Sequence, residues 1–343
     1  MEKSYQFIIL GLGSIGKKHA KFLKQYKGEF IYVDPSPVAR NWVIEEFGNS
    51  AKAFKTLDEA SPYIISSDLE SIGIVANWGP LHYTSSISLV ELGVKKLYVE
   101  KPLANSLKAV DGLKEISSEV EILGGFQNRY RKIIESIQKI SVDELGGPPV
   151  MISTSGGAAG IVTNGIHLLD LVVSIFNSEP ESVISDLHSS KINPRSDELD
   201  FWEGSSTWTF QNNRRFSLNF TNLSSVKQTT EVFCLNGKIK INEDMSINVY
   251  KRNKEEILSD SRVIRLGAAK LAGDELKNED NEDLFKNIFN RLLGPNGDVI
   301  KIDREIIATK SIIYSLISSR LGKKLHIDQD VGEELYDYEW KIS

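Results

Sequence analysis

Cysteine is nearly absent. Cys234 is the single one in 343 residues, so no disulfide can close within the chain. It sits in Glu231-Val232-Phe233-Cys234-Leu235, which reads as a strand, and the thiol reads as a small apolar side chain. Long apolar runs are also missing; none approaches the roughly 18 residues of a membrane span. The opening Met1-Glu2-Lys3-Ser4-Tyr5 lacks the basic-then-apolar pattern of a secretory leader. No stretch combines clustered Lys and Arg with interleaved aromatics, and the net charge is −6, which argues against a nucleic-acid partner. No group of His, Cys, Asp or Glu has metal-ligand spacing, so no metal is expected. No internal repeat is visible. These absences leave a cytoplasmic protein with a small-molecule partner as the expectation.

What is present is an ordinary globular composition, 41% hydrophobic and 26% charged, on a chain long enough for two domains. The most informative stretch lies near the start. Phe7-Ile8-Ile9-Leu10 reads as a buried parallel strand, and Gly11-Leu12-Gly13-Ser14-Ile15-Gly16 turns it into a helix. Ile15, His19, Phe22, Leu23 and Tyr26 recur at helical spacing and predict the helix's inner face. Gly11 suits a tight turn, Gly13 lets backbone N–H groups approach a pyrophosphate, and Gly16 lets helix and strand pack closely. A second strand, Glu29 to Val33, ends at Asp34, 18 residues past Gly16. An acid there accepts the ribose hydroxyls and repels a 2′-phosphate, so NAD is favoured over NADP. Arg40 is the complication, because an arginine can bind that phosphate.

Further strand and helix signals alternate. Ser71 to Ala76 reads as a buried strand that stops at Asn77-Trp78-Gly79-Pro80-Leu81-His82. Ligands of open α/β sheets sit outside the carboxyl ends of strands, which makes Asn77, Trp78 and His82 cofactor-side candidates, with packing and capping as the plainer alternatives. Lys96-Leu97-Tyr98-Val99 runs into Glu100-Lys101-Pro102, a charged pair and a proline at another strand's carboxyl end.

The glycine loop, Asp34 and Val99-Glu100-Lys101-Pro102-Leu103-Ala104 together resemble the glucose–fructose oxidoreductase / inositol dehydrogenase (Gfo/Idh/MocA) family. The resemblance covers most of the chain and is densest up to Pro102. It implies an α/β chain: an N-terminal Rossmann domain, set at residues 1–124, and a C-terminal α+β domain with an open, mostly antiparallel sheet, at 125–343. It also implies a cis peptide at Lys101–Pro102. In its light Lys101 is the expected proton acceptor, Glu100 its neighbour beside the cofactor, and Arg129, after Gly125-Phe126-Gln127-Asn128, a substrate-side group. For Arg129 an interdomain ion pair is the alternative. Thr163-Asn164-Gly165-Ile166-His167 resembles the start of the family's helix that bears an active-site histidine, so His167 is a second catalytic candidate and Thr163 and Asn164 are substrate candidates. Thr163 stands where many members have aspartate, which removes a carboxylate from any proton relay. Asp170, one turn after His167, is the residue available to orient it.

The implied activity is hydride transfer between NAD(H) and a secondary alcohol or ketone of a sugar, sugar phosphate, nucleotide sugar or cyclitol. A non-catalytic NAD-binding regulatory or scaffold protein and a reductase of another carbonyl or imine are the alternatives. The second half is otherwise β-rich. Ser205 to Phe210 and Phe216 to Phe220 alternate, and Asn236-Gly237 marks a hairpin. Gly156-Gly157-Ala158-Ala159-Gly160 reads as a mobile loop. Asp274 to Asp283, with six acids, reads as a solvated loop. Two amphipathic helices follow, and a tail with Tyr336, Tyr338 and Trp340 is expected to pack on the body, with a return to the first domain as its expected place. One face of the meander sheet has no helix to cover it, so a homo-oligomer formed through that sheet is expected.

Overall fold

The computed structural model describes residues 4–48, 51–190, 196, 198–253, 255, 267–277, 281–293 and 302–342. It divides into two compact units. One holds Met1–Phe126, Asn290–Thr309 and Glu333–Ser343, the other Gln127–Phe289 and Lys310–Gly332.

The first unit alternates strand and helix: β1 (Tyr5–Leu10), α1 (Ser14–Leu23), β2 (Gly28–Val33), α2 (Pro37–Phe47), β3 (Lys52–Phe54), α3 (Leu57–Ile65), β4 (Glu70–Val75), α4 (His82–Glu91), β5 (Lys96–Val99), α5 (Leu107–Ile116) and β6 (Glu121–Gly124). Among the described residues the strands form one sheet in the order β3-β2-β1-β4-β5-β6, all parallel. Buried on both faces, β1 is apolar nearly throughout. Strand order reverses between β1 and β4, which opens a crevice at their carboxyl ends. On α1 the buried residues are Gly16, His19, Ala20 and Leu23. Ile15, placed on the inner face by its spacing, is 41% exposed instead. Gly16 takes the inward place because a Cβ there would lie 1.9 Å from the Gly11 carbonyl oxygen.

The tail, residues 333–343, packs back on this first unit, and residues 290–309, placed by sequence in the second domain, belong to it as well. The end of α8 (Asn281–Leu293) gives the reason. The Leu293 carbonyl accepts from the Tyr5 hydroxyl at 2.7 Å, and the Leu292 carbonyl from Lys96 Nζ at 3.1 Å. The tail, with α10 (Glu333–Asp337), is held by Tyr336 Oη donating to Asp111 at 3.1 Å and by the Trp340 N–H donating to the Asn105 carbonyl at 2.8 Å.

The second unit contains α6 (Ile133–Glu144), β7 (Met151–Gly156), α7 (Gly165–Phe176), β8 (Pro180–Ser190), β9 (Phe201–Phe210), β10 (Arg215–Phe220), β11 (Thr229–Cys234), β12 (Gly237–Ile241), β13 (Ile247–Arg252), β14 (Ala269–Leu271) and β15 (Leu325–His326). Among the described residues its sheet runs β14-β13-β12-β11-β7-β10-β9-β8-β15, antiparallel except for the β7–β10 pair. Trp208, Phe216, Ile152 and Val232 point to the buried face. Trp208 stacks on Phe216 and donates from its indole to the Ser311 carbonyl on α9 (Asp303–Leu321), 3.3 Å away. Ser153, Thr207, Ser217, Glu231 and Lys238 alternate with these on the other, half-exposed face. Asn236-Gly237 closes the β11–β12 hairpin as expected.

The glycine-rich segment after β7 is not a loose loop. The Gly157 N–H donates to Val226 and the Ala158 N–H to Ser224, each at under 3 Å. A Cβ at Gly157 would meet the Ser224 carbonyl oxygen at 2.2 Å, so the glycines serve close backbone approach. The acidic stretch from Asp274 lies partly outside the described residues, which end at 277 and resume at 281. Among the described residues no helix is long and apolar enough to cross a membrane.

Candidate functional site

The expected site residues fall into two groups, one on each unit. The glycine loop, Asp34, Asn77, Trp78, His82, Glu100 and Lys101 lie at the carboxyl edge of the parallel sheet; Arg129, Thr163, Asn164 and His167 surround the start of α7.

In the first group, Gly11 adopts φ +88°, and a Cβ there would meet Asn77 Cα at 2.3 Å. The loop is therefore shaped by its neighbour strand. Gly13 is different. Its φ of −67° suits any residue, and a Cβ would meet nothing within 4 Å. Neither backbone nor packing demands glycine at that position, and the space beside the loop is open. Gly13 is also the N-cap of α1 and has no side chain to cap it, so first-turn N–H groups of Ser14, Ile15 and Gly16 are left for an anion. Leu12 is buried and its N–H donates to Asp34 Oδ2 at 2.7 Å, while the Ser36 N–H donates to Oδ1 at 2.8 Å. Each carboxylate oxygen keeps a lone pair for a ribose hydroxyl. Arg40 turns its guanidinium onto the backbone, donating to the Asp34 and Pro35 carbonyls at 2.8 and 2.9 Å.

Between the ends of β1, β2 and β4 lies a cleft of about 300 Å³, walled by Pro35, Leu57, Leu81 and Thr84, with Asn77 at its base. Asn77 Nδ2 donates to Ser85 at 2.7 Å, and its Oδ1 is buried without a hydrogen bond among the described residues. The apolar walls of the slot suit a flat ring such as adenine. Leu57, Leu81 and Thr84 escape a sequence reading because each opens or flanks a helix with no motif of its own. Trp78 is 42% exposed and is not among the residues that wall this cleft.

Two residues expected to touch the cofactor face inward instead. His82 is buried; Nδ1 lies 2.7 Å from the Pro102 carbonyl oxygen and Nε2 3.2 Å from that of Asn77. Burial lowers its pKa, outweighing those two carbonyls and Glu100, which favour the cation. A neutral ring has one N–H, which serves the closer Pro102. His82 thus ties the Lys101–Pro102 loop to the end of β4. Glu100 is 8% exposed. Its Oε1 accepts from His19 Nε2 at 2.7 Å and from the Tyr98 hydroxyl at 3.4 Å, and its Oε2 faces the Lys101 N–H at 3.4 Å. Burial opposes its charge, but the His19 hydrogen bond and the nearby positive groups win and hold it below the usual carboxylate range. Both of its oxygens thus face protein donors, and Lys101 beside it is half-buried. The Lys101–Pro102 peptide is cis, as the resemblance implies.

In the second group, Arg129 lies on a 3₁₀ turn (Gln127–Tyr130) and pairs with Asp170 of α7, both side chains nearly inaccessible. Nε donates to Oδ2 at 3.3 Å and a terminal nitrogen to Oδ1. The pair is internal to this unit, not an interdomain bridge, and it commits the arginine to the helix. Asp170 thus faces Arg129 with both carboxylate oxygens. Thr163 is buried and Asn164 exposed, with its amide donating to the Ala159 carbonyl. His167 is half-buried in the first turn of α7, the one residue from Ile166 to Phe176 that is not fully buried.

No protein-family model matches the chain, and no curated protein matches it in sequence. Solved structures do. An NAD-binding protein from Listeria innocua superposes with a TM-score of 0.73 at 14% identity, over 94% of this chain and 99% of that one. Scyllo-inositol dehydrogenase from Lactobacillus casei, with NAD(H) and scyllo-inositol bound, gives 0.67 at 15% identity, over 95% and 100%. The WlbA dehydrogenase from Bordetella pertussis, with NADH and UDP-GlcNAcA, gives 0.70 at 17% identity, over 96% and 100%. The chain therefore has, over nearly its whole length, the two-unit fold of the Gfo/Idh/MocA-type dehydrogenases that its motifs resemble.

Proposed function

We propose that the protein is an NAD-dependent oxidoreductase that moves a hydride between nicotinamide and a secondary alcohol or ketone of a sugar, sugar phosphate, nucleotide sugar or cyclitol. The observation that carries this reading is the arrangement at the sheet edge of the first unit. An open glycine loop, a ribose-ready Asp34 and an adenine-sized cleft lead to Lys101 on the next strand end but one. The three similar structures, one an NAD-binding protein and two holding NAD(H) with an inositol or a nucleotide sugar, support it.

When bound, NAD supplies the hydride acceptor at nicotinamide C4. Helix α1 and Gly13 seat its pyrophosphate, Asp34 its adenosine ribose, and Asn77 with Leu81 its adenine. Arg40, bonded to two backbone carbonyls, is not poised for a 2′-phosphate, which favours NAD over NADP. Oxidation requires the substrate hydroxyl to lose its proton while its carbon loses hydride, and Lys101 accepts that proton. His167 shares the proton or holds an adjacent hydroxyl, and Thr163 and Asn164 shape the substrate side. Arg129 acts by fixing α7 through Asp170. The half-exposed polar face of the second sheet suits a second copy of the chain, and the cytoplasm is the proposed compartment.

The test is a panel of sugars, sugar phosphates, nucleotide sugars and cyclitols with NAD, followed by NADH formation. One or more turns over, and Lys101→Ala cuts that rate by about 10²-fold or more with NAD still bound. Full turnover by Lys101→Ala removes the lysine assignment. NAD binding with no turnover across the panel points to the regulatory reading instead.

A further inference from the structure

We propose that His19 is a positioning residue for Lys101, acting through Glu100 and coupling the helix that seats the cofactor to the loop that bears the base. This rests on the reading of Lys101 as proton acceptor.

His19 occupies an inward position of α1, where helical spacing calls for an apolar side chain, and its side chain is wholly buried. Packing alone would be served by leucine at no desolvation cost. The ring instead stands edge-on to Tyr98, with centroids 4.8 Å apart, and brings Nε2 to 2.7 Å from Glu100 Oε1. A carboxylate accepts only, so Nε2 carries the hydrogen. The other side of the carboxylate is closed by backbone: a Cβ on Gly125 would lie 2.8 Å from Oε2. The groups with charge or protons that face Glu100 are His19 on α1, Tyr98 on its own strand, Lys101 next in sequence and His82 on α4. Glu305 of α9 packs on neighbouring Gly124. Of these, His19 makes the one short hydrogen bond to the carboxylate.

The consequence is electrostatic and mechanical. Without His19, a carboxylate this buried takes up a proton more readily, and the negative charge beside Lys101 is lost. With it, the charge stays, and the Glu100–Lys101 turn is tied to the helix whose first turn meets the pyrophosphate.

The experiment titrates Lys101 directly. The intact protein carries ¹³C-labelled lysine, the Lys101 signal is assigned by its loss in Lys101→Arg, and His19→Ala, His19→Asn, His19→Gln and Glu100→Gln are compared. His19→Ala and His19→Asn, whose side chains do not reach Glu100, move the Lys101 midpoint to lower pH by about one unit. Glu100→Gln does the same, and the His19→Ala/Glu100→Gln double variant goes no further than Glu100→Gln. His19→Gln, which places an N–H donor near the lost Nε2, returns the midpoint toward the parent value. NADH affinity, read by fluorescence, stays within about threefold because the glycine loop is untouched. On the substrate found by the panel, kcat falls with KM little changed, and the rising limb of the pH profile shifts with the Lys101 midpoint. An unchanged Lys101 midpoint in whichever of His19→Ala or His19→Asn folds overturns the proposal and leaves His19 a packing residue. If Lys101→Ala keeps full turnover, the proton-acceptor reading fails, while the titration still decides the coupling.

Discussion

A histidine at a helical spacing position was legible as inward-facing and illegible as a hydrogen-bond donor. Periodicity records which side of α1 a residue takes; it carries no information about Glu100, 81 positions away, whose carboxylate His19 holds. The same limit applies to Arg129 and Asp170. Each stood out in the sequence, one as a substrate contact and one as a partner for His167, and the structure pairs them with one another. Two charges that nearly inaccessible stabilise each other only while both are present. Arg129→Met or Asp170→Leu alone should destabilise the fold by about 3 kcal/mol or more, read in denaturant unfolding, and the Arg129→Met/Asp170→Leu pair should recover much of it. Equal losses from the double variant and the sum of the singles would deny the coupling.

At the scale of elements, long apolar strands and the βα alternation of the first unit were plain, because β1, β4 and β5 are buried on both faces and leave continuous apolar runs. Strand β8 was not read, since Pro180-Glu181-Ser182 and Ser189-Ser190 dilute its alternation; β13 is interrupted by Asn248 and ends in Lys251-Arg252, and β14, three residues long, gave too short a signal. The turn between β1 and α1 separates two uses of glycine. Gly16→Ala sets a methyl against the Gly11 carbonyl and should cost about 1–3 kcal/mol of stability. Gly13→Val meets open space and should cost no more than the roughly 1 kcal/mol of a poorer N-cap, while weakening NAD binding by about tenfold or more. Calorimetry of both variants, with and without NAD, checks this; a Gly13→Val protein that binds NAD normally would remove the pyrophosphate from this loop.

For the whole molecule, two buried groups set an acid limit. Folding lowers the proton affinity of His82 from its ordinary value near 6.5, and of Glu100 from one near 4.5. In each case the unfolded chain binds protons first. The His82 contribution is complete above about pH 6.5 and is lost as pH falls through its folded value; that of Glu100 is complete above about pH 4.5 and is lost below that. Melting temperature should therefore decline from pH 7 to pH 5, and His82→Gln should flatten that stretch of the curve. Identical slopes in the two proteins would assign the acid sensitivity to other groups.

The first unit is also completed out of order. Its sheet is built from the first 126 residues, yet Asn290–Thr309 and Glu333–Ser343 belong to it and come after most of the second unit. Leu335, Trp340 and Ile342 are all buried, and the tail's anchors, Asn105 and Asp111, were made more than two hundred residues earlier. In synthesis order, the α5 side of this unit stays uncovered until residues 333–342 are made, long after the sheet itself. That stretch thus works as a latch, and a chain truncated before residue 333 would leave this side of the parallel-sheet unit open.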